Sequence, residues 1–344
     1  MYPLMRSILF LLDPEVAHGL TLQLIRLAGK LPPIRRFLTA WFSAPEKPVE
    51  LWGIRFRNPV GLAAGYDKDG LGWRGLACLG FGHIEIGTVT LKPQPGNPKP
   101  RLFRLVDEKA IINRMGFPGR GADFAVRQIQ GKRPAGLVLG VNIGKNKDTP
   151  LEDAADDYLA LQDIFYPYAD YLAVNVSSPN TLGLRRLQAR DQLESLLVKM
   201  EQNRNRKINL GSARLPILVK LAPDLDHAEL EDALTAITNS GMDGVIISNT
   251  TINREGLELG SDEHPTIARE TGGLSGAPLS RRSTEMIRTV YQLTSGKLPI
   301  VGVGGVMDAQ GACEKIDAGA TLVQVYTGLV YSGPALVKQI VNGL

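Results

Sequence analysis

Eight short apolar runs recur along the chain between residues 60 and 328. Each run is nearly continuous and rich in Val, Ile or Leu, as is typical of strands that are covered on both faces. Helical patterns lie between most of the runs. The predicted strands span residues 60–65, 83–89, 136–144, 171–177, 216–223, 243–250, 298–305 and 321–328. The predicted helices span residues 154–164, 190–202, 228–239, 283–294 and 309–318.

This alternation of strands and helices predicts βαβ units and a parallel sheet, which places the chain in the α/β class. Eight such strands favour a closed (β/α)8 barrel, the TIM-barrel architecture. A doubly wound open sheet is the alternative that the pattern leaves open. The length of 344 residues suits one barrel of ordinary size plus an appendage.

The first 45 residues lack the strand pattern. They predict two short amphipathic helices, at about residues 5–12 and 14–30, and a third turn near residues 34–42. Asp13 followed by Pro14 is typical of a helix N-cap with proline at the first helical position. The chain therefore divides into an N-terminal helical segment, residues 1–45, and a barrel domain, residues 46–344.

The N-terminal helical segment carries more apolar side chains than one core-facing stripe requires, and its basic residues outnumber its acidic ones. Such helices are typical of segments that lie on a membrane surface. The alternative is that they plug the bottom of the barrel. No run approaches the roughly 20 apolar residues of a spanning helix, and no signal or transit peptide is recognisable. We expect a peripheral protein on the cytoplasmic face of the bacterial inner membrane.

Composition excludes several kinds of site. A net charge of +4 gives no sign of a nucleic-acid-binding surface. Cys78 and Cys313 are two isolated cysteines, too few for an iron–sulfur cluster or a structural zinc site. The histidines show no metal-ligand spacing. We therefore expect no metal and no iron–sulfur cluster.

Polar residues follow the predicted strands at their carboxyl ends, where barrel enzymes place their catalytic groups. The most pronounced cluster is residues 175–181, Asn-Val-Ser-Ser-Pro-Asn-Thr, after the fourth strand. Its alternative is a hydrogen-bonded turn without function. Lys220 lies inside an apolar strand, where a lysine is costly without an anion. A ligand partner for Lys220 is favoured over an internal salt bridge, because its own strand has no carboxylate.

Glycine-rich turns follow the last two predicted strands. Residues 302–305, Gly-Val-Gly-Gly, and residues 326–328, Tyr-Thr-Gly, occupy the positions where barrels commonly bind phosphate. The alternative is a tight turn without a ligand. Many amides elsewhere on the rim suit a planar heterocycle that forms hydrogen bonds, and no Rossmann fingerprint for a nicotinamide cofactor is present. The pattern therefore favours a phosphorylated flavin.

The motifs together resemble those of the class 2, membrane-associated, quinone-dependent dihydroorotate dehydrogenases. They occur in order at residues 62–70, 85–90, 93–97, 113–117, 175–181, 271–276 and 302–305. Class 1 members of that family use a cysteine base, whereas this chain has Ser178, and they lack the N-terminal helical extension. The resemblance implies oxidation of dihydroorotate to orotate in pyrimidine synthesis, with one FMN per chain and a membrane quinone as electron acceptor.

The resemblance also implies roles for individual residues. Ser178 would remove a proton from the substrate while hydride passes to the flavin, and Thr181 and Phe117 would frame a water beside it. Residues that would hold the substrate are Lys68, Asn113, Arg114, Met115, Gly116, Phe117, Asn175, Asn180, Asn249 and Thr250. Residues that would hold FMN are Ala64, Gly65, Tyr66, Asp67, Lys68, Thr88, Asn142, Asn175, Lys220, Ser248, Gly276, Gly305, Tyr326 and Thr327. Residues on the quinone path would be His18, Arg104 and Tyr326.

Residues 182–188 are expected to form a lid over the substrate, and the protein is expected to act as a monomer that contacts the lipid surface and no nucleic acid. Three other functions remain open from the sequence. They are a class 1 enzyme that uses fumarate or NAD, a phosphate-binding isomerase or lyase without flavin, and a non-catalytic membrane-surface protein.

Overall fold

The computed structural model of the chain describes residues 2–254, 257 and 269–344. The strands in this part of the chain are β1 Val49–Leu51, β2 Ile54–Phe56, β3 Val60–Leu62, β4 His83–Val89, β5 Leu102–Leu105, β6 Ala110–Asn113, β7 Val138–Ile143, β8 Tyr171–Asn175, β9 Ile217–Leu221, β10 Gly244–Ile247, β11 Gly273–Gly276, β12 Ile300–Val303 and β13 Leu322–Val325.

The α-helices of the same part are α1 Tyr2–Phe10, α2 Pro14–Lys30, α3 Pro32–Phe42, α4 Trp73–Leu76, α5 Ala122–Ile129, α6 Ala154–Phe165, α7 Arg190–Asn209, α8 His227–Asn239, α9 Ser280–Leu293, α10 Ala309–Asp317, α11 Thr327–Ser332 and α12 Leu336–Gly343.

Eight parallel strands close into a barrel in the order β3-β4-β7-β8-β9-β10-β12-β13, with β13 paired to β3. Each of these strands lies within one of the eight predicted runs, so the predicted barrel is confirmed and the open-sheet alternative is wrong. Their side chains are buried almost throughout, because helices cover the outer face and the barrel interior is filled.

The five predicted helices are confirmed as α6 to α10, but α7 extends to residue 209 rather than 202. Its last two turns are polar and show no apolar periodicity, which is why the sequence pattern missed them. Arg204 is fully buried there and donates to the Leu215 carbonyl at 3.0 Å. It also pairs with Glu201 and Asp243, so tertiary ion pairs hold the polar end of the helix.

The N-terminal helical segment forms the two predicted helices and a third full helix, α3, where only a turn was predicted. Asp13 Oδ1 accepts from the backbone N–H of Glu15 at 2.9 Å and of Val16 at 3.1 Å, which confirms the N-cap. Helix α2 packs on α4, and α1 packs on α11. No helix among the described residues is long and apolar enough to cross a membrane.

The hairpin β1–β2 closes the bottom of the barrel, since its side chains pack on the cluster inside the barrel, to which no residue of the N-terminal helices belongs. Trp52 in its turn donates Nε1 to the Asp243 carbonyl at 2.8 Å and packs near Tyr171 inside the barrel. The alternative role of the helices as a bottom plug is therefore wrong. The hairpin was not predicted, since its strands are only three residues long.

A three-stranded antiparallel sheet, β5-β6-β11, was also not predicted. It joins residues 102–113 to residues 273–276, far apart in sequence, and lies beside the carboxyl rim of the barrel. Asn113 and Gly276 are placed at opposite ends of its β6–β11 pair. The sheet therefore positions residues from outside the barrel strands at the site.

Candidate active site

A cleft of about 1000 Å³, open mouth included, lies at the carboxyl rim of the barrel, and we call it the rim cavity. Residues from most of the predicted polar clusters line it, together with residues of β6 and β11. The lining residues are Ala63, Ala64, Gly65, Lys68, Thr88, Asn113, Met115, Gly116, Phe117, Asn175, Ser178, Asn180, Lys220, Ser248, Asn249, Thr250, Ser275, Gly276, Leu279, Val303, Gly304, Gly305, Val306, Gln324, Tyr326, Thr327 and Gly328.

Asn175 is the centre of a network of amides and hydroxyls on the cavity floor. Its Nδ2 donates to Thr88 Oγ1 at 2.8 Å. Its Oδ1 accepts from Asn249 Nδ2 at 3.3 Å and from Ser177 Oγ at 3.1 Å. On the cavity wall, Asn180 Nδ2 donates to the Asn113 side-chain oxygen at 3.2 Å. These contacts fix which way each amide presents its donor and acceptor.

Ser178 lies just above this floor and is 5% exposed. Its Oγ accepts from the Asn180 backbone N–H at 3.2 Å, and no acceptor for its own hydroxyl proton is found in the described part of the chain. Thr181 Oγ1 is buried nearby in sequence and also lacks a partner among the described residues. Unpartnered buried hydroxyls of this kind are what an ordered water satisfies.

Lys220 projects from β9 into the rim cavity, and its ammonium has no hydrogen-bond partner among the described residues. Burial lowers its pKa, and the negative charge of Glu85 partly opposes that shift. Glu85 does not come within ion-pair distance, so the internal salt bridge considered from the sequence is not formed. The ammonium is therefore available to an anionic or electron-rich ligand.

Glu85 is a site residue that the sequence reasoning missed. It is fully buried on β4 and accepts from Asn142 Nδ2 at 2.8 Å, from the Tyr171 hydroxyl at 3.0 Å and from Gln324 Nε2 at 3.1 Å. A carboxylate in the apolar run 83–89 was the signal that could have found it, just as a lysine in an apolar run identified Lys220.

Lys68 is half-buried on the other side of the cavity, and its ammonium donates to the Gly65 carbonyl at 2.7 Å. Burial lowers its pKa to about 8, with the Glu15 carboxylate opposing and the Arg101 guanidinium adding to the shift. An ammonium with free N–H groups at this position suits a carboxylate ligand, whose charge would stabilise the protonated form.

The phosphate end of the cavity is formed by Gly276, Gly304, Gly305 and Thr327. The three glycines have φ of +104°, +116° and +70°, and a Cβ on Gly305 would lie 2.4 Å from Ser280 Cα. The backbone N–H groups of Gly304 and Gly305 have no acceptor in the described residues. Backbone N–H groups that are left free at glycine positions fit a phosphate.

A second cavity of about 610 Å³ lies under the N-terminal helices, and we call it the helix cavity. His18, Tyr66, Arg104 and Tyr326 are among its lining residues, and Tyr326 also lines the rim cavity. The His18 ring lies 4.9 Å from the Tyr66 ring, and burial lowers the pKa of His18 to about 3. The structure thus joins the three predicted quinone-path residues in one space beside the main site.

Comparison with known proteins agrees with this geometry. The family model for dihydroorotate dehydrogenase matches residues 47–344. Proteins from Cellvibrio japonicus and Azotobacter vinelandii, both named dihydroorotate dehydrogenase (quinone), are 48% and 49% identical over 344 residues, covering all of this chain and 98% and 96% of their own lengths. The chain belongs to the dihydroorotate dehydrogenase family.

Solved structures of the family show the same fold. The DHODH of Eimeria tenella in complex with ferulenol has a TM-score of 0.85 and 38% identity, and the match covers 96% of this chain and 90% of that one. Its ligand-free form gives 0.84 and 39%, covering 96% and 94%. The relatives from Cellvibrio japonicus and Azotobacter vinelandii are named as quinone enzymes. The chain therefore belongs to the quinone-dependent class of the family, as its motifs predicted.

Five residues that the family resemblance assigned to the site do not line the rim cavity. Arg114 points away and pairs with Glu270, and Tyr66 lines the helix cavity. Asp67 is buried and accepts from the backbone N–H of Leu71 and Gly72. Asn142 accepts from Thr88 Oγ1 at 2.6 Å and so lies behind a lining residue. Thr181 is buried and is not among the lining residues.

Residues 182–188, the predicted lid, are held against the carboxyl rim of the barrel by Arg185. Arg185 pairs with Asp224 at 2.8 Å and donates to the Ser177 and Thr250 carbonyls at 3.1 Å and 3.0 Å. Leu182 is 93% exposed. Its closing motion stays a prediction.

No cluster of three or more metal-ligating side chains is found in the part of the chain that the structure describes.

Proposed function

We propose that the chain oxidises (S)-dihydroorotate to orotate in pyrimidine biosynthesis, with FMN in the rim cavity and a membrane quinone in the helix cavity as electron acceptor. The observation that carries this proposal is that Tyr326 lines both cavities. Because one side chain borders both spaces, a flavin ring bound in the rim cavity and a quinone bound in the helix cavity would lie close enough for electron transfer. Family membership supports the same reaction.

FMN fits the rim cavity by the chemistry of its lining. Gly276, Gly304, Gly305 and Thr327 would hold the phosphate through backbone N–H groups, and Lys220 would stabilise negative charge on the reduced ring. When bound, FMN supplies a two-electron acceptor that can be reoxidised by a quinone. Further residues proposed to hold FMN are Ala64, Gly65, Thr88, Asn175, Ser248 and Tyr326, with Asn142 acting through Thr88.

Substrate would bind in the open part of the same cavity. Lys68 would pair with its carboxylate, and the amides Asn113, Asn175, Asn180 and Asn249, with Thr250, would meet its ring edges. The backbone of Met115 to Phe117 would close that side.

Ser178 is the proposed base at the substrate. Its hydroxyl proton has no protein acceptor among the described residues, so it would pass to a water. Thr181, whose buried Oγ1 is unpartnered among the described residues, and Phe117 are proposed to frame that water. Serine is a weak base, and this route for its proton is what lets it act at neutral pH.

The N-terminal helical segment is proposed to dock on the lipid surface and to admit quinone. Thirteen of the twenty large hydrophobic side chains that are exposed in the described part of the chain lie in its helices and their connections. Such exposure costs free energy in water and is typical of membrane contact. We place the protein on the cytoplasmic face of the bacterial inner membrane, as a monomer, because one chain supplies the lining of both cavities.

Filling the helix cavity tests the proposal. Ala17 is buried and lines that cavity, so Ala17→Phe should slow flavin reoxidation by a short-chain quinone at least about tenfold. Flavin reduction by dihydroorotate should be unchanged, which also reports that the barrel is folded. Ala40→Phe on the exposed side of α3 is the matched control. Reoxidation at the normal rate in Ala17→Phe would contradict the proposed quinone path.

A further inference from the structure

Lys315, in the last turn of α10, is completely buried. Its ammonium donates to Ser283 Oγ and Thr284 Oγ1, both at 3.1 Å, and to the Ser280 carbonyl at 3.4 Å. All three acceptors are neutral, and no carboxylate among the described residues lies within ion-pair distance. A buried ammonium without an anion is costly, so its retention needs a reason beyond these contacts.

The position of Lys315 gives that reason. Its Cβ would lie 3.3 Å from a Cβ on Gly302 of β12. Ser283, which accepts from the ammonium, donates to the Val303 carbonyl at 2.7 Å. Gly304 and Gly305 follow directly in sequence. Lys315 therefore lies behind the backbone that forms the phosphate end of the rim cavity.

Among the described residues, no cationic side chain lines the phosphate end. The cationic side chains that line the rim cavity in this part of the chain are Lys68 and Lys220, on elements other than those of the phosphate end. The remaining groups there are glycines and the Thr327 hydroxyl. A phosphate monoester carries a charge of about −1.5 to −2 at pH 7, which neutral N–H groups alone leave without a counter-charge.

We infer that Lys315 is the counter-charge for the phosphate group, acting through the first turn of α9 without touching the ligand. This inference rests on the proposed FMN site. Burial lowers the pKa of Lys315 to about 8, with Glu314 partly opposing, as expected for an ammonium whose anion arrives with a ligand. Lys315 is thus a residue that selects phosphorylated flavin over the free ring.

Riboflavin provides the test, because it has the same ring as FMN and lacks the phosphate. The full chain stripped of flavin is titrated with each compound, in the unaltered form and as Lys315→Met and Lys315→Gln. Met keeps the volume without the charge, and Gln keeps a hydrogen-bond donor. Lys297→Met, on the exposed loop that leads into β12, is the matched control.

We expect the Kd for FMN to rise about tenfold in both Lys315 variants, the equivalent of one pKa unit of charge interaction. The Kd for riboflavin should change less than about twofold, and the control should match the unaltered chain. Equal weakening of both compounds would make Lys315 a purely structural residue and overturn the inference, as would unchanged FMN binding. Failure of the unaltered chain to bind FMN would instead contradict the proposed function.

Stability of the flavin-free protein separates the two roles further. Removing a buried charge that has no anion should leave the denaturant midpoint of Lys315→Met unchanged or higher at pH 7. A structural lysine predicts the reverse, a lower midpoint together with weaker binding of both flavins. If one variant fails to fold, the other still decides the comparison.

Discussion

Asn175 on β8 donates its side-chain amide to Thr88 Oγ1 at the end of β4, 2.8 Å away and past the intervening strand β7. Thr88 in turn donates to Asn142 Oδ1, and Asn142 donates to the buried Glu85. Because a carboxylate only accepts, Glu85 fixes the direction of each hydrogen bond in this series, from Asn142 through Thr88 to Asn175. The orientation of Asn175 at the cavity floor is therefore set by Glu85, which does not line the rim cavity.

Thr88→Val should interrupt this series of hydrogen bonds while keeping the side-chain volume. Asn175 loses its acceptor and Asn142 its donor, so the free energy of unfolding should fall by about 1–3 kcal/mol, and FMN should bind about tenfold or more weakly. Urea unfolding and flavin titration measure the two effects. Thr90→Val, two residues along the same rim and outside the cavity lining, should keep normal FMN affinity; an equal loss there would contradict the role of Thr88.

Ser178→Ala should keep FMN and orotate binding and lose most dihydroorotate oxidation at neutral pH, by about 10²-fold or more. The measurement is stopped-flow reduction of the flavin. Ser177→Ala is the contrasting variant, since Ser177 Oγ accepts from Asn249 and donates to Asn175. Ser177→Ala should weaken the binding of FMN and orotate more than it slows reduction of the flavin by dihydroorotate. Normal flavin reduction in Ser178→Ala would remove Ser178 from the mechanism.

Arg185→Ala should release the predicted lid. The guanidinium pairs with Asp224 and holds two carbonyls of the rim, so its loss should raise the Kd for orotate about tenfold and expose the Arg186 peptide bond to trypsin. Orotate should protect the unaltered chain from cleavage there. Arg186→Lys, on an exposed side chain, keeps the trypsin site and is the control. Trypsin sensitivity that orotate does not alter would argue against a lid.

Orotate affinity should depend on pH through Lys68. Because burial holds the pKa of Lys68 at about 8, the ammonium is charged below that pH and increasingly neutral above it. Binding of the orotate carboxylate should therefore weaken between pH 7 and pH 9.5, by up to tenfold per pH unit at the upper end. Lys68→Arg stays charged and should show a flat profile. A flat profile for the unaltered chain would show that Lys68 does not pair with the carboxylate.

Membrane binding should depend on exposed apolar residues of the N-terminal helical segment. Leu24 on α2 and Phe37 on α3 are 57% and 62% exposed, so Leu24→Asp with Phe37→Asp should abolish sedimentation with lipid vesicles. Leu210→Asp, 86% exposed at the end of α7, is the control and should sediment normally. Flavin reduction by dihydroorotate should be unaffected in all variants. Vesicle binding that survives the double substitution would contradict the proposed docking surface.

Much of the site could be predicted from the sequence because barrel strands impose a simple rule. Each apolar run ends at the same rim, so polar residues such as Asn175, Asn249 and Gly305 had to converge whatever the details of packing. The same rule exposed Lys220, since a charge in an apolar run has few explanations.

The parts that escaped prediction depend on contacts between distant segments. The sheet β5-β6-β11 has three strands of four residues each, and β11 is far in sequence from its partner β6. None of the three carries enough pattern to be recognised alone. The polar end of α7 depends on Arg204, and the outward turn of Arg114 depends on Glu270. In these cases contacts between residues that are distant in sequence determine the local structure, and the periodicity of apolar residues does not reveal such contacts.

In the proposed reaction, dihydroorotate reduces the flavin, and a quinone rather than fumarate reoxidises it. The purified chain is mixed anaerobically with dihydroorotate while flavin absorbance is followed, and a quinone or fumarate is then added. We expect bleaching on addition of dihydroorotate and recovery with quinone alone. Recovery with fumarate, or the absence of bleaching, would rule out the proposed reaction.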